Sequence, residues 1–107
     1  METLNRVEIR GRVGQDPRIA NVGDSKVARF SVATNETFHD RGGAIKEETT
    51  WHNITVWAGR NVADISSIKK GVMVNLTGRI RHSKFVGSDG MDKYMTEIVA
   101  NQLSLVQ

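Results

Sequence analysis

The sequence has no cysteine, one proline and few aromatic residues: two tryptophans, three phenylalanines and one tyrosine among 107 residues. Without cysteine the chain has no disulfide, thiolate-ligated metal or thiol nucleophile. It has no apolar run close to the roughly 20 residues of a membrane-spanning helix. Its first residues match neither a secretory signal nor a lipidation motif. We therefore expect a soluble, cytoplasmic protein without membrane contact, folded as one domain over residues 1–107.

Acidic residues are missing from a long internal stretch of the chain. Lysine and arginine number 15 against 12 aspartates and glutamates, which gives a net charge of +3 and a pI near 9.6. Between Asp64 and Asp89 there is no carboxylate side chain. Five cationic residues lie in that interval: Lys69, Lys70, Arg79, Arg81 and Lys84. This local excess of positive charge indicates an anionic partner.

Alternation of apolar and polar residues is the main pattern, and it predicts a protein built mostly of strands. The predicted strands are 5–13, 18–22, 26–34, 48–58, 72–85 and 93–99, with a polar hairpin loop over 35–46. One α-helix is predicted over 61–70, because Val62, Ile65 and Ile68 recur at helical spacing. Asn61 is a suitable N-cap for it, and Gly71 a suitable C′ residue.

The order of these elements predicts the fold. Three long strands, a short helix and two further strands fit an all-β, five-stranded Greek-key barrel of the OB type, with the helix between strands 3 and 4. An SH3-like barrel is the weaker alternative, since it does not ordinarily place a ten-residue helix there.

The third long strand separates two kinds of side chain by parity, because successive residues of a strand point to opposite sides. Its even positions predict a core side: His52, Ile54, Val56 and Ala58. Its odd positions predict an outward side that carries both tryptophans: Trp51, Asn53, Thr55 and Trp57.

The fourth long strand has a similar division. Its even positions predict core residues: Val72, Val74, Leu76 and Ile80. Its outward side carries Arg79, Arg81 and Phe85. Arginines neutralise phosphates and flat rings stack on unpaired bases, so this combination is typical of a sequence-tolerant groove for single-stranded nucleic acid.

The same aromatic and basic residues are compatible with roles that involve no nucleic acid. The tryptophans could cap the barrel or fill a contact between subunits, since tryptophan is usually well buried. The arginines could be a solvated surface without a ligand. A domain that only mediates protein contacts is therefore an alternative function for this chain.

Catalysis finds no support in the sequence. His39, His52 and His82 lack metal-ligand spacing. No nucleophile elbow, phosphate-binding loop, dinucleotide fingerprint or paired-carboxylate motif occurs. We expect no enzyme, no cofactor and no metal, and we interpret His52 as a hydrogen-bonded structural residue.

An ordered set of segments resembles the DNA-binding domain of the bacterial single-stranded DNA-binding protein (SSB) family, from about Leu4 to Leu105. These segments are Asn5-Arg6-Val7, Gly11-Arg12-Val13-Gly14-Gln15-Asp16-Pro17, Val27 to Asn35, Glu48-Thr49-Thr50-Trp51-His52, Lys69-Lys70-Gly71, Gly78-Arg79-Ile80-Arg81 and Asp89 to Val99.

The resemblance implies an OB-fold that binds single-stranded DNA in replication, recombination or repair, associated with the nucleoid and assembled as a homotetramer, a dimer of dimers. It implies base stacking on four aromatic residues: Phe38, Trp51, Trp57 and Phe85. Phosphate contacts of the family correspond to five positions: Arg41, Arg60, Lys70, Arg81 and Lys84. Arg79 joins them because it shares the side of Arg81. Ser83 stands where many relatives carry a basic residue.

Two features depart from the family pattern. Relatives usually continue into a flexible linker with an acidic tip that recruits other proteins; this sequence stops at Gln107, so recruitment by such a tail is not expected from it. Outward positions of the first strand are commonly aliphatic and meet a second subunit, but here they are Glu8 and Arg10. We hypothesise that two copies of this strand pair antiparallel, with Glu8 of each against Arg10 of the other. The alternative is similarity to primosomal replication protein N, a short dimeric OB protein of replication restart.

Overall fold

The computed structural model of the chain describes residues 2–106 and contains six strands. They are β1 (Val7–Val13), β2 (Arg18–Val22), β3 (Ser25–His39), β4 (Ile45–Trp57), β5 (Met73–Val86) and β6 (Asp92–Leu105). One turn of 3₁₀ helix, Ile65–Ser67, lies between β4 and β5.

The strands form one sheet in the order β1-β5-β6-β4-β3-β2. Among the strand pairs within residues 2–106, only β4–β6 is parallel. β1 also pairs with β3 through Arg12↔Ala33 and Val13↔Val32, and this contact closes five strands into a barrel. β2 lies outside the barrel as an additional edge strand along β3. The predicted all-β, five-stranded OB barrel is therefore confirmed.

Period-two alternation builds the barrel interior, because each strand turns its aliphatic positions inward. The core cluster is made of buried side chains from five strands and the segment after β4, among them Ile9, Val13, Phe30, Val32, Ile54, Val56, Ile65, Val74, Leu76, Ile98 and Leu103. β1 crosses β3 very closely: a Cβ atom on Gly11 would come 2.2 Å from the carbonyl oxygen of Ala33. Only glycine fits at this closure point.

The predicted α-helix over 61–70 is wrong. The first part of this segment is extended beside β6: the Ala63 N–H donates to the Leu103 carbonyl at 2.9 Å, and the Leu103 N–H donates to the Asn61 carbonyl at 3.0 Å. Because these backbone groups bond to β6, they cannot form helical i→i+4 bonds. A single turn remains at Ile65–Ser67, capped by Asp64.

The spacing that suggested the helix has another cause. Ile65 and Ile68 are both buried in the core, and Val62 packs against it. A three-residue interval suits one turn of 3₁₀ helix as well as an α-helix. Hydrogen bonds from Ser66 to the Asp64 carboxylate fix the start of the turn and lower the pKa of that group below its ordinary value.

Within residues 2–106, no helix is long and apolar enough to cross a membrane.

Two hairpins extend beyond the barrel. β3 and β4 stay paired as far as His39↔Ile45, so the predicted loop over 35–46 shrinks to residues 40–44. β5 and β6 stay paired as far as Val86↔Asp92. Two residues predicted for the core are exposed because they lie past its limits: Ile80, on the β5 arm, and Ala58, just after β4.

Candidate nucleic-acid interface

Both tryptophans lie on the outward side of β4. Trp51 is 59% exposed and Trp57 is 40% exposed, whereas Ile54 and Val56 on the other side are buried. Parity therefore predicted their side of the strand correctly. Exposed indole surface is what base stacking requires, so both tryptophans remain candidate stacking residues.

The indole of Trp51 is supported along one edge. A Cβ atom on Gly14 would come 2.3 Å from Cζ3 of Trp51 and 3.0 Å from the Ser31 hydroxyl oxygen. The Gly14 N–H donates to the Ser31 carbonyl at 2.9 Å, which fixes this piece of backbone. The ring is therefore held in place while most of its surface remains available for stacking.

Trp57 has a second, structural task. Its cross-strand partner on β3 is Val27, which is 1% exposed although it does not belong to the core cluster. Opposed side chains of an antiparallel pair lie about 5 Å apart at their Cβ atoms. The indole therefore shelters Val27 and has less open surface than Trp51.

Thr55, between the two tryptophans, was expected to be exposed but is buried. Its hydroxyl donates to Oε2 of Glu97 at 2.8 Å, and the two residues are 5% and 7% exposed. The cause is the parallel pairing of β6 with β4, which brings Thr55 next to Val99. The two indoles are consequently separated by a buried polar pair.

The register carries the outward side of β4 across β6 to β5. Thr55 pairs with Val99, and Val99 pairs with Arg79. Arg81 is opposite Glu97. Neighbouring strands lie about 4.8 Å apart, so the arginines are two strand spacings from β4. Among the described residues, neither arginine has a carboxylate oxygen within 4 Å.

Phe85 continues this surface toward the tip of the β5–β6 arm. It shares the parity of Arg81, is paired with Lys93, and is 49% exposed. We call this surface the indole–arginine face; it comprises Trp51, Trp57, Arg79, Arg81 and Phe85.

Two other predicted site residues lie on the reverse side of their hairpins. Phe38, 46% exposed, is paired with Lys46 and has the parity of the buried Val32. Lys84 has the parity opposite to Arg81, and its ammonium group forms an ion pair with Asp92 at 3.2 Å. The register thus does not bring these residues together with Trp51.

Three predicted phosphate ligands lie outside the strands, and all are exposed. Arg41 is in the loop at the tip of the β3–β4 arm, and Arg60 follows β4. Lys70 precedes the positive-φ residue Gly71, and its backbone N–H donates to Asp16 at 2.9 Å.

Tyr94 is a further exposed aromatic residue near Trp51, and the sequence analysis did not single it out. It is 74% exposed and lines a groove of about 390 Å³ between β4 and β6, together with Trp51 and Asn53. Its parity is that of the buried Ile98, which suggests an inward position. It is exposed because the β6 arm has left the barrel at this point.

The two predicted subunit-contact residues lie on β1, on the side that carries polar residues of β5. In the chain by itself, Arg6 Nη2 donates to Glu8 at 2.6 Å and Arg10 Nε donates to Asn75 Oδ1 at 2.7 Å. A shallow hollow of about 660 Å³ on this side is lined by polar residues, among them Glu8, Arg10, Asn75, Thr77, Gln102 and Ser104, and by the aliphatic residues Ile9, Leu76 and Leu103. One edge of β1 pairs with β5, but the other pairs with β3 only at Arg12 and Val13.

Comparison of the sequence with known protein families identifies relatives of the chain. The model of the single-strand binding protein family matches residues 4–106. The chain belongs to this family. A curated relative, the single-stranded DNA-binding protein of Neisseria meningitidis serogroup A, is 42% identical over 107 residues. That of Xylella fastidiosa is 32% identical over 104 residues. The alignments cover 97% and 96% of this chain, but 60% and 63% of the relatives' own lengths.

Solved structures support the same assignment. The structure described as Plasmodium falciparum SSB complex with ssDNA has a TM-score of 0.82 and 33% identity, and the match covers 99% of this chain and 96% of that chain. A deletion mutant of the Thermus aquaticus single-stranded DNA-binding protein, 19% identical, has a TM-score of 0.79 over 97% of this chain and 51% of that chain, and shows the shared fold. Membership of this family of non-enzymatic proteins confirms the expectation that the chain is not an enzyme.

His52 has the hydrogen-bonded, structural position that the sequence predicts. His52 is partly buried beside the core, and its Nε2 is 2.9 Å from the Thr34 hydroxyl. In the part of the chain that the structure describes, no three His, Asp or Glu side chains are grouped as a metal site.

Proposed function

We propose that the chain binds single-stranded DNA without sequence preference, as one domain spanning residues 1–107. The observation that carries this proposal is the register that puts both indoles, Arg79 and Arg81 on one surface. Rings bind bases of any identity through their π-faces, and guanidinium groups bind the phosphates between them. The printed names of the relatives, and the single-stranded DNA bound to the Plasmodium protein, support the same ligand.

The proposed roles follow from placement. Bases stack on Trp51 and Trp57, and Phe85 extends the stacking surface along the β5–β6 arm. Phe38 stacks a base only where the strand passes around the β3–β4 arm to its reverse side. Arg79 and Arg81 bind phosphates between the two arms.

The remaining four cationic residues lie outside the indole–arginine face, and they bind phosphates where the DNA enters or leaves it. They are Arg41, Arg60, Lys70 and Lys84. Such a protein protects exposed single strands during replication, recombination or repair, in the cytoplasm and in association with the nucleoid.

We further propose assembly through the β1 edge, with two β1 strands antiparallel and Glu8 of each opposite Arg10 of the other. The unpaired edge between Val7 and Gly11 supplies backbone groups for such a contact. Two dimers then form the tetramer. In this assembly Glu8 exchanges its intrachain partner Arg6 for an arginine of the second copy.

The proposed DNA binding is tested by titrating the chain with oligothymidylates of about 4 to 40 nucleotides, lengths that include the site sizes of about 4 to 16 nucleotides known for OB folds. We expect quenching of tryptophan emission and an affinity that falls with salt, by about 0.7 log units per log unit of salt for each phosphate contacted. Unchanged emission together with an unchanged mobility of the oligomer would overturn the proposal and favour tryptophans that serve a protein contact. Duplex DNA of equal length is the matched control.

A further inference from the structure

Two arginines stand directly opposite each other on the β2–β3 hairpin. Arg18 is the register partner of Arg29, and both side chains are exposed. Like charges directly opposed across an antiparallel pair are destabilising. Within residues 2–106, no carboxylate oxygen comes within 4 Å of either guanidinium. The repulsion is therefore left without compensation by the described part of the chain.

This pair lies in line with the indole–arginine face. Arg29 is paired with Thr55, Thr55 with Val99, and Val99 with Arg79. A single row of registered partners thus runs across five strands, from Arg18 on β2 to Arg79 on β5. Four strand spacings of about 4.8 Å make this row about 19 Å long.

The pair is also adjacent to an indole. Arg29 is opposite Thr55, so Trp57 is its diagonal neighbour on β4, at the roughly 7–8 Å that a long side chain can bridge. Arg79 lies on the other side of β4, two spacings away. A strand stacked on Trp57 therefore has cations on both sides of the ring.

We propose that Arg18 and Arg29 form a second phosphate-binding site, which holds the backbone of the same single strand where it passes beyond Trp57 toward β2. This inference rests on the proposed function. A phosphodiester group between two guanidiniums converts their repulsion into two charge-assisted contacts, and the planar fork of arginine suits bidentate binding of phosphate oxygens. The bound single strand then contacts the protein from the indole–arginine face as far as β2, at the edge of the sheet.

The test compares three variants with the wild-type chain in salt-dependent titrations with a long oligothymidylate. R18Q/R29Q removes the site. R18K/R29K keeps both charges. K26Q is the control for loss of positive charge elsewhere, because it removes one charge from the strand of Arg29, on the side facing away from the site. We expect R18Q/R29Q to bind less tightly at low salt, with a salt slope shallower by about 0.7 for each phosphate that it no longer binds. R18K/R29K should keep the wild-type slope, and K26Q should change neither quantity.

Two further readouts distinguish a binding site from general damage. Quenching at saturation should be unchanged in R18Q/R29Q, because the indoles are untouched. Its melting temperature without DNA should equal or exceed that of the wild type, because a repulsion has been removed. A wild-type slope in R18Q/R29Q, or an equally shallow slope in K26Q, would overturn the second site while leaving the proposed function intact. Absence of quenching in the wild-type chain itself would instead overturn the proposed function.

Discussion

The indole of Trp51 rests against the backbone of Gly14, so closely that a Cβ atom at residue 14 would lie 2.3 Å from Cζ3 of the ring. A glycine in β1's exit turn thus determines how an aromatic side chain of β4 is presented. The contact links the closure of the barrel to the orientation of the proposed stacking surface.

Gly14→Ala should displace the Trp51 indole without removing it. Overpacking of this kind destabilises a protein by about 1–3 kcal/mol, and here we also expect weaker binding of oligothymidylates and a shifted tryptophan emission. Fluorescence titration and thermal unfolding measure the two effects. Gly59→Ala is the control, since a Cβ atom there meets nothing closer than the Trp57 carbonyl oxygen at 3.9 Å. Identical emission and affinity in Gly14→Ala would contradict the proposed support of the ring.

Trp51→Ala and Trp57→Ala should differ in kind. Loss of a stacked base weakens binding by about 1–3 kcal/mol in either variant. Trp57→Ala should lower the free energy of unfolding by more than Trp51→Ala does, because it also uncovers Val27. Denaturant unfolding and binding titrations separate the effects, and phenylalanine at either position should restore most of the binding. Equal stability of the two alanine variants would show that Trp57 does not shelter Val27.

Glu97→Gln should tighten the binding of single-stranded DNA. The carboxylate is buried beside the indole–arginine face, on the residue opposite Arg81, and it accepts a hydrogen bond from Thr55 that the amide oxygen of glutamine can keep. Removing a negative charge from the path of a polyanion raises affinity most at low salt. Titrations at two salt concentrations measure it, with Glu2→Gln, an exposed residue that precedes β1, as control. Affinity unchanged at low salt would mean that the strand does not pass near Glu97.

Glu8→Arg should loosen the proposed β1–β1 contact, because it places arginines opposite each other in both halves of a symmetric interface. Sedimentation should then show smaller species than in the wild type. Glu8→Arg with Arg10→Glu should restore assembly, since the charges are exchanged. Sedimentation of Glu8→Arg that matches the wild type would disprove the reciprocal pairing, and a wild-type dimer would favour the primosomal alternative over the tetramer.

The sequence predicted the strands well because alternation is a local signal. Val7–Val13 and Met73–Val86 alternate strictly enough to reveal both their conformation and their buried side. The helix prediction failed for a nonlocal reason: Leu103, far along the chain, takes the hydrogen bonds of residues 61 and 63. Thr55 was misjudged for the same reason, since parity gives the side of a strand but not the neighbour that covers it.

The Arg18–Arg29 pair shows a signal that the sequence does contain. Residues 23 and 24 form a two-residue turn, with Gly23 at a φ of 60° and Val22 paired with Ser25. Counting outward from such a turn gives the register of the whole hairpin. By contrast, the extension of that row to Arg79 depends on how β4 and β6 meet, and no local pattern specifies that.

The two arms carry none of the barrel's core cluster: between residues 33 and 53, and again between 77 and 97, no side chain belongs to it. Their outer ends are therefore convenient places for engineering. An affinity tag inserted near Gly42 would leave folding of the barrel untouched. An environment-sensitive dye at the same place would in addition report on DNA bound along the arm.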